Sequence, residues 1–150
     1  MPLRLTNSLS RQKEDFETVL PGHVGLYVCG PTVYGDPHLG HAKTYINFDV
    51  IVRYLRFCGY TVTYIQNITD VGHLVGDEDD GADKVLQKAR EINRQPMAIV
   101  EHYTCRHFAM MDRLQVRRPD ISPRATGHIP EQLQLIETLL AQGKAYERIG

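Results

Sequence analysis

Cysteine is scarce in this 150-residue chain: Cys29, Cys58 and Cys105 are all it has, with no Cys-x-x-Cys pair. An odd and widely spaced set excludes a disulfide framework and fits a reducing compartment, so a cytoplasmic location is expected. Charge of one sign is missing too. Lys and Arg number 17 and Asp and Glu 18, a net charge of -1. That balance gives no overall field for nucleic acid, though it leaves room for a local basic patch. No apolar run approaches membrane-spanning length, and Met1-Pro2-Leu3-Arg4 opens no signal-peptide stretch, so no membrane partner is expected. Neither Gly-x-Gly-x-x-Gly nor Gly-x-x-x-x-Gly-Lys occurs, which removes the two common phosphate-loop fingerprints. Internal repeats and low-complexity segments are also lacking. With 42% hydrophobic and 23% charged residues, the composition is that of a globular chain of one-domain size.

What is present concentrates in Tyr27-Val28-Cys29-Gly30-Pro31-Thr32-Val33-Tyr34-Gly35-Asp36-Pro37-His38-Leu39-Gly40-His41. A thiol ends an apolar run, a Pro/Gly-rich turn follows, and His-x-Gly-His opens an amphipathic segment. Val24 to Gly30 reads as a buried strand. From Gly40 to Phe57 the apolar positions Ile46, Val50, Tyr54 and Phe57 recur at helical spacing, and Gly59 ends the run. Thr61 to Gln66 reads as a second strand. Strand, helix and strand on short connections predict a βαβ unit with parallel pairing, hence an α/β fold.

Thr69 to Asp83 reads as a glycine-punctuated acidic loop. Helices are expected over Asp83 to Asn93, with Val85, Ala89 and Ile92 on one face, from Pro96 to about Leu114, and from Ile129 to Ala141. Arg117 to Thr126, with Pro119 and Pro123, reads as a connector. Gly143 suits a helix C-cap, and Ala145 to Gly150 reads as the opening of a strand that stops without a partner. The chain is therefore expected to be the front part of something longer.

In a βαβ unit ligands collect at the carboxyl ends of the strands. His38, Gly40 and His41 fall there. Gly40 lets a flat base or ribose approach the backbone, and the helix start offers free N–H donors and partial positive charge to an anion. The two imidazoles add donors that can follow charge developing on an α-phosphate. The plainer alternative is one loop histidine and one helix-capping histidine. For Cys29 it is a buried strand cysteine.

Other candidates carry less. Gly76 to Gly81 resembles a calcium loop, but with Gly81 at the obligatory glycine the first and twelfth positions are Gly76 and Gln87, so the pattern fails. His102 and Cys105 share a helix face that His107 leaves. His107 falls instead on the stripe of Val100, Tyr103, Met111 and Leu114, as a core histidine. Cys58 reads as packing. Arg113, Arg117, Arg118 and Arg124 suit either nucleic-acid phosphates or an ordinary solvated surface.

Taken in order, Cys29-Gly-Pro-Thr-Val-Tyr, Pro37-His-Leu-Gly-His, Tyr54-Leu-Arg with Gly59-Tyr60, Asn67-Ile-Thr-Asp, Arg117-Arg-Pro-Asp and Pro123-Arg-Ala-Thr with His128-Ile129 resemble the amino-terminal catalytic part of the cysteinyl-tRNA synthetases. The likeness covers almost the whole chain. It implies a class I aminoacyl-tRNA synthetase with a Rossmann-type (HUP-like) parallel-sheet nucleotide-binding domain. Residues 1–95 would be its first half, and 96–150 a helical part leading into a connective insertion, without the anticodon-binding domain. It implies ATP-dependent activation of L-cysteine to cysteinyl-adenylate and transfer to tRNA(Cys), with ATP and Mg2+ as substrate and a monomeric enzyme. It further implies His38 and His41 as catalytic, and Pro31, Thr32, Gly40 and His41 toward ATP. Cys29, Gly30 and Thr69 fall toward cysteine, with Cys29 the first of four ligands to a Zn2+ ion that takes the substrate thiolate. A soft metal separates sulfur from a hydroxyl better than packing does.

Thr69-Asp70 could hold the substrate amino group or form a strand-ending turn. His128 could face the site or cap a helix, and Gly127 stands where some relatives carry a second histidine. The other three zinc ligands and the lysine-serine loop are expected beyond residue 150, so the isolated chain is expected to be inactive. The same features leave open a cysteine ligase of thiol biosynthesis (mycothiol-type), a small His-x-Gly-His nucleotidyltransferase, or a non-catalytic nucleotide- or RNA-binding remnant.

Overall fold

The computed structural model describes residues 3–71 and 84–148. Its elements in order are β1 (Arg4–Asn7), β2 (Gln12–Asp15), β3 (His23–Val28), α1 (Leu39–Phe57), β4 (Thr61–Gln66), α2 (Lys84–Glu91), α3 (Pro96–Arg113) and α4 (Ile129–Ala141), with a 3-10 turn at Thr126–His128. The acidic loop and the rejected calcium-loop residues, 72–83, lie outside the described residues.

The expected βαβ unit is there. β3 and β4 pair in parallel, from His23 opposite Thr61 to Val28 opposite Gln66. Beyond the strands the pairing resumes between Thr32 and Thr69, so the two chains stay together past the tip that holds Cys29. The strand stops at Val28 rather than Gly30, which leaves Cys29 exposed instead of in a packed strand. On the far side of β4, residues 120–125 run parallel to it. Gln66 and Ile68 donate backbone N–H groups to the carbonyls of Ile121 and Pro123 at 3.0 and 2.8 Å, and Asp120 N–H donates to Tyr64 O at 2.8 Å. The segment expected as a mere connector therefore extends the sheet edge. Its prolines fit because Pro123 uses only its carbonyl.

α1 packs on this sheet, but not with the face expected. Ile46, Val50, Tyr54 and Phe57 are exposed, whereas Ala42, Tyr45, Asp49, Val52 and Leu55 are buried. The helix is apolar on two sides, and the side that also carries Asp49 wins because that carboxylate is fully satisfied. Arg53 Nε donates to it at 2.6 Å, and Arg117 N–H at 3.0 Å. Arg53 also donates to Gln115 O at 2.7 Å, tying α1 to the end of α3. A buried carboxylate without those donors would be costly. Gly59, at φ +91°, closes α1 in the left-handed conformation.

One core cluster joins Val24, Val28, Tyr45, Val52, Leu55, Val62, Tyr64, Met111 and Val116 between sheet, α1 and the end of α3. A second joins Val33 and Ile68 to Val85 of α2 and Val100 of α3. Ile92 lies beyond α2 and is exposed, as is Cys58, which does not pack. β1 and β2, an antiparallel hairpin, had no expectation attached to them. Ala145 to Arg148 form no strand; Ile149 and Gly150 are outside the described residues. No helix among the described residues is long and apolar enough to cross a membrane.

Candidate active site

The site forms where β3 and β4 end and α1 begins. His38 is the N-cap of α1, with extended backbone, and its Nδ1 accepts the Gly40 N–H at 3.1 Å. In return His41 Nδ1 accepts the His38 N–H at 3.2 Å. The two imidazoles thus make a reciprocal capping box, a role usually filled by Ser/Thr and Glu/Gln. A ring that accepts at Nδ1 carries its proton on Nε2 when neutral. Both Nε2–H groups are therefore left over for a ligand. The rings lie 4.1 Å apart between centroids. Burial, and then the neighbouring His38, lowers the pKa of His41 and favours the neutral ring that the cap requires. Gly40 lies against the His38 ring: a Cβ on it would sit 2.9 Å from His38 Cε1 and 3.0 Å from Nδ1, so a side chain there would displace that ring.

A cavity of about 170 Å³ opens against these rings, lined by Thr32, Tyr34, Gly35, Asp36, His38 and His41. A neighbouring cleft of about 460 Å³ shares Tyr34, Gly35 and Asp36 and adds Lys84, Gln87, Lys88, Glu91 and Tyr103. The first is below the roughly 300–1,000 Å³ of a whole small-molecule site and suits part of a ligand, such as a phosphate group. Asp36 is held by an ion pair with Arg106 of α3, which fixes the turn between β3 and α1.

Behind the histidines the strand tips are stitched together. Gly30 N–H donates to Asn67 Oδ1 at 2.8 Å, and Asn67 Nδ2 donates to Thr69 Oγ1 at 3.0 Å. Thr69 N–H donates to Pro31 O at 3.0 Å, and Val33 N–H to Thr69 O at 3.3 Å. Asp70, which is buried, accepts from Thr126 N–H at 3.1 Å and Thr126 Oγ1 at 2.5 Å. Its carboxylate is thus occupied in anchoring the 3-10 turn. His128 caps no helix with its side chain; its Nδ1 lies 2.9 Å from Arg124 O, and the residue is exposed. Arg118 and Arg124 are committed to Asp112 and Glu101 through two contacts each.

Of the expected site residues, Thr32, His38 and His41 line one cavity, with Gly40 beneath the His38 ring. Gly30, Pro31 and Thr69 belong to one hydrogen-bonded web at the strand tips. Cys29 is exposed at the end of β3 and does not line that cavity; its carbonyl accepts from Tyr45 Oη at 3.3 Å. Burial pushes the Tyr45 phenol up, so it remains a donor. Among the described residues no three His, Cys, Asp or Glu side chains gather as a metal site. One thiolate does not make the four-ligand site that zinc takes, so the described residues alone do not fit that ion. Tyr45, Asn67 and Asp36 were not foreseen as site residues. Tyr45 lies one helical turn after His41, which is the one sequence cue to it.

The family described as tRNA synthetases class I (C) catalytic domain matches residues 15–150. The chain belongs to this family. It is 58% identical over 150 residues to the cysteine–tRNA ligase of Chlorobium luteolum, and 59% over 150 residues to that of Chlorobium chlorochromatii. Identity to a cysteine–tRNA ligase of Thermus thermophilus is 54% over 150 residues. In each comparison all of the chain is covered but only 31% of the relative, so the chain spans about a third of these relatives' length. Family membership agrees with the parallel sheet flanked by helices.

Proposed function

We propose that this chain is the amino-terminal catalytic part of a cysteine–tRNA ligase. It would activate L-cysteine with ATP, as the Mg2+ complex, and pass the aminoacyl group to tRNA(Cys) in a cytoplasmic, monomeric enzyme. The reading places the β3–α1–β4 unit as the first half of a Rossmann-type domain over residues 1–95. Residues 96–150 lead into a helical insertion. The observation that carries the reading is the imidazole capping box, which leaves two Nε2–H donors beside a phosphate-sized cavity at the strand ends. Family membership and relatives that bear this name support the same conclusion.

In the reaction, a cysteine carboxylate oxygen attacks the α-phosphorus of ATP. The new O–P bond forms as the bridging oxygen leaves with pyrophosphate. His38 and His41 donate through Nε2 to the phosphate oxygens, where negative charge builds, and the free N–H groups of the α1 start reinforce them. Pro31, Thr32 and Gly40 shape the ATP side. Gly30 and Thr69 shape the cysteine side, and Cys29 would be one donor to a zinc ion only with further ligands from outside the described residues. All three cysteines are free thiols, in keeping with a reducing compartment.

The test is a chimera in which residues 1–150 replace the matching segment of the Thermus thermophilus relative. It should catalyse cysteine-dependent ATP–pyrophosphate exchange and charge tRNA, and His38→Ala or His41→Ala should lower exchange about 10²–10³-fold. The 150-residue chain alone should show no exchange above background. A folded chimera that ignores cysteine, or one that loads an amino sugar in place of tRNA, would refute the proposal.

A further inference from the structure

Cys29 and His41 lie on different elements, yet one side chain reaches both. Tyr45 is 3% exposed, and its hydroxyl donates to the Cys29 carbonyl at 3.3 Å. Its ring lies nearly parallel to that of His41, tilted by 21° with centroids 6.3 Å apart. From the other side His107 of α3 meets the Tyr45 ring edge-on, 5.1 Å between centroids.

His107 is the less expected partner. It is 1% exposed, and its Nε2 lies 3.5 Å from Gln66 Oε1. Gln66 spends its amide N–H on Tyr64 Oη at 3.1 Å, so Oε1 is an acceptor and His107 must carry its proton on Nε2. Nδ1 is then a buried lone pair with no partner. An orphaned acceptor costs stability, and a leucine would fill the space without that cost. Packing alone does not explain an imidazole at this position. Its position does: the ring reaches Gln66 of β4 through Nε2 and packs nearly perpendicular to the ring of Tyr45.

We propose that Tyr45 and His107 are positioning residues of the active site. Together they hold the Cys29–Gly30 main chain at a set distance from the His41 ring. The inference rests on reading the site as one that activates cysteine. Removing the Tyr45 hydroxyl frees the β3 tip, which the proposed function assigns to the amino acid, while the His41 ring moves only slightly and ATP binding is little affected. Removing the His107 ring lets Tyr45 tilt, which disturbs His41 as well.

The Thermus chimera and the 150-residue chain supply separate readouts. In the chimera, Tyr45→Phe should raise KM for cysteine about three- to tenfold, the loss of one hydrogen bond, with KM for ATP within about twofold. His107→Leu should raise the same KM and also lower kcat, whereas His107→Gln, which keeps a donor at similar reach, should restore both. In the chain itself, imidazole nitrogen NMR should show His107 as the Nε2–H tautomer, and Tyr45→Phe should shift the His41 ring signals. Wild-type kinetics in Tyr45→Phe and His107→Leu chimeras that fold would overturn the positioning role. If the unsubstituted chimera lacks cysteine-dependent exchange, the activity reading fails instead, and the NMR decides alone. Unchanged His41 signals in both variants would then overturn the inference; shifted ones would sustain it. Should His107→Leu not fold, Tyr45→Phe and His107→Gln carry the decision.

Discussion

His38 and His41 cap one another: each Nδ1 accepts a backbone N–H, at 3.1 and 3.2 Å, which leaves the proton of each neutral ring on Nε2. Structure and chemistry are thus divided between the two nitrogens of each ring, and substitution can separate them. Asparagine places Oδ1 near the position of Nδ1 and is among the best N-cap residues. His38→Asn, at the N-cap itself, should keep the chain's urea midpoint close to that of the unsubstituted protein. Exchange in the Thermus chimera should nevertheless fall about 10²-fold, since the outer donor is gone. Alanine should lose both, with about 1 kcal/mol of stability lost along with the cap. A His38→Asn variant as unstable as His38→Ala would show that the side-chain cap is not what holds the start of α1.

His107 gives a pH dependence whose sign can be stated. Burial first, then the nearby His41, pushes its imidazole down from the usual 6.5 to about 4. The pKa is lower in the folded state, so between pH 6.5 and about 4 the unfolded chain takes up a proton that the folded chain refuses. Stability is complete above that window and declines as pH falls through it, by up to about 3 kcal/mol near pH 4. His41 pulls in the same direction, again through burial and then His38. Urea titrations of the chain at pH 7 and pH 4.5 should show the loss, and His107→Leu should remove most of it. An equal loss in that variant would assign the effect to other groups.

The β3–α1–β4 unit was legible because its periods are clean, and Gly59 and the prolines punctuate it at the right places. The buried face of α1 was not. Ile46, Val50, Tyr54 and Phe57 make a persuasive apolar stripe, yet the opposite stripe carries Asp49, whose burial makes sense only once Arg53 and Arg117 are seen around it. The hairpin of β1 and β2 escaped because every residue in it is exposed and no alternation marks it. At the candidate site, the closeness of His38, Gly40 and His41 at the start of α1 was legible from their type and spacing. That of Tyr45, Gln66 and His107 was not, because their roles depend on contacts between residues as far as 62 positions apart in sequence, such as Tyr45 with His107.

Gly30 joins fold and site more tightly than any other glycine described. A Cβ there would lie 1.4 Å from the Asn67 carbonyl oxygen and 2.6 Å from its carbon, both backbone atoms. The tips of β3 and β4 can approach this closely only because position 30 has no side chain, and the 2.8 Å bond from Gly30 N–H to Asn67 Oδ1 depends on that approach. Gly30→Ala must push the tips apart and should cost about 3 kcal/mol or more, at the upper end of overpacking penalties. Gly25, in the middle of β3, is the control: nothing stands within 4 Å of its would-be Cβ. Gly25→Ala should be neutral or slightly stabilising, since alanine loses less chain entropy on folding. Urea denaturation of the two variants side by side checks the contrast. Equal midpoints would mean that the strand tips have room to spare and that the Gly30–Asn67–Thr69 web is looser than its contacts suggest.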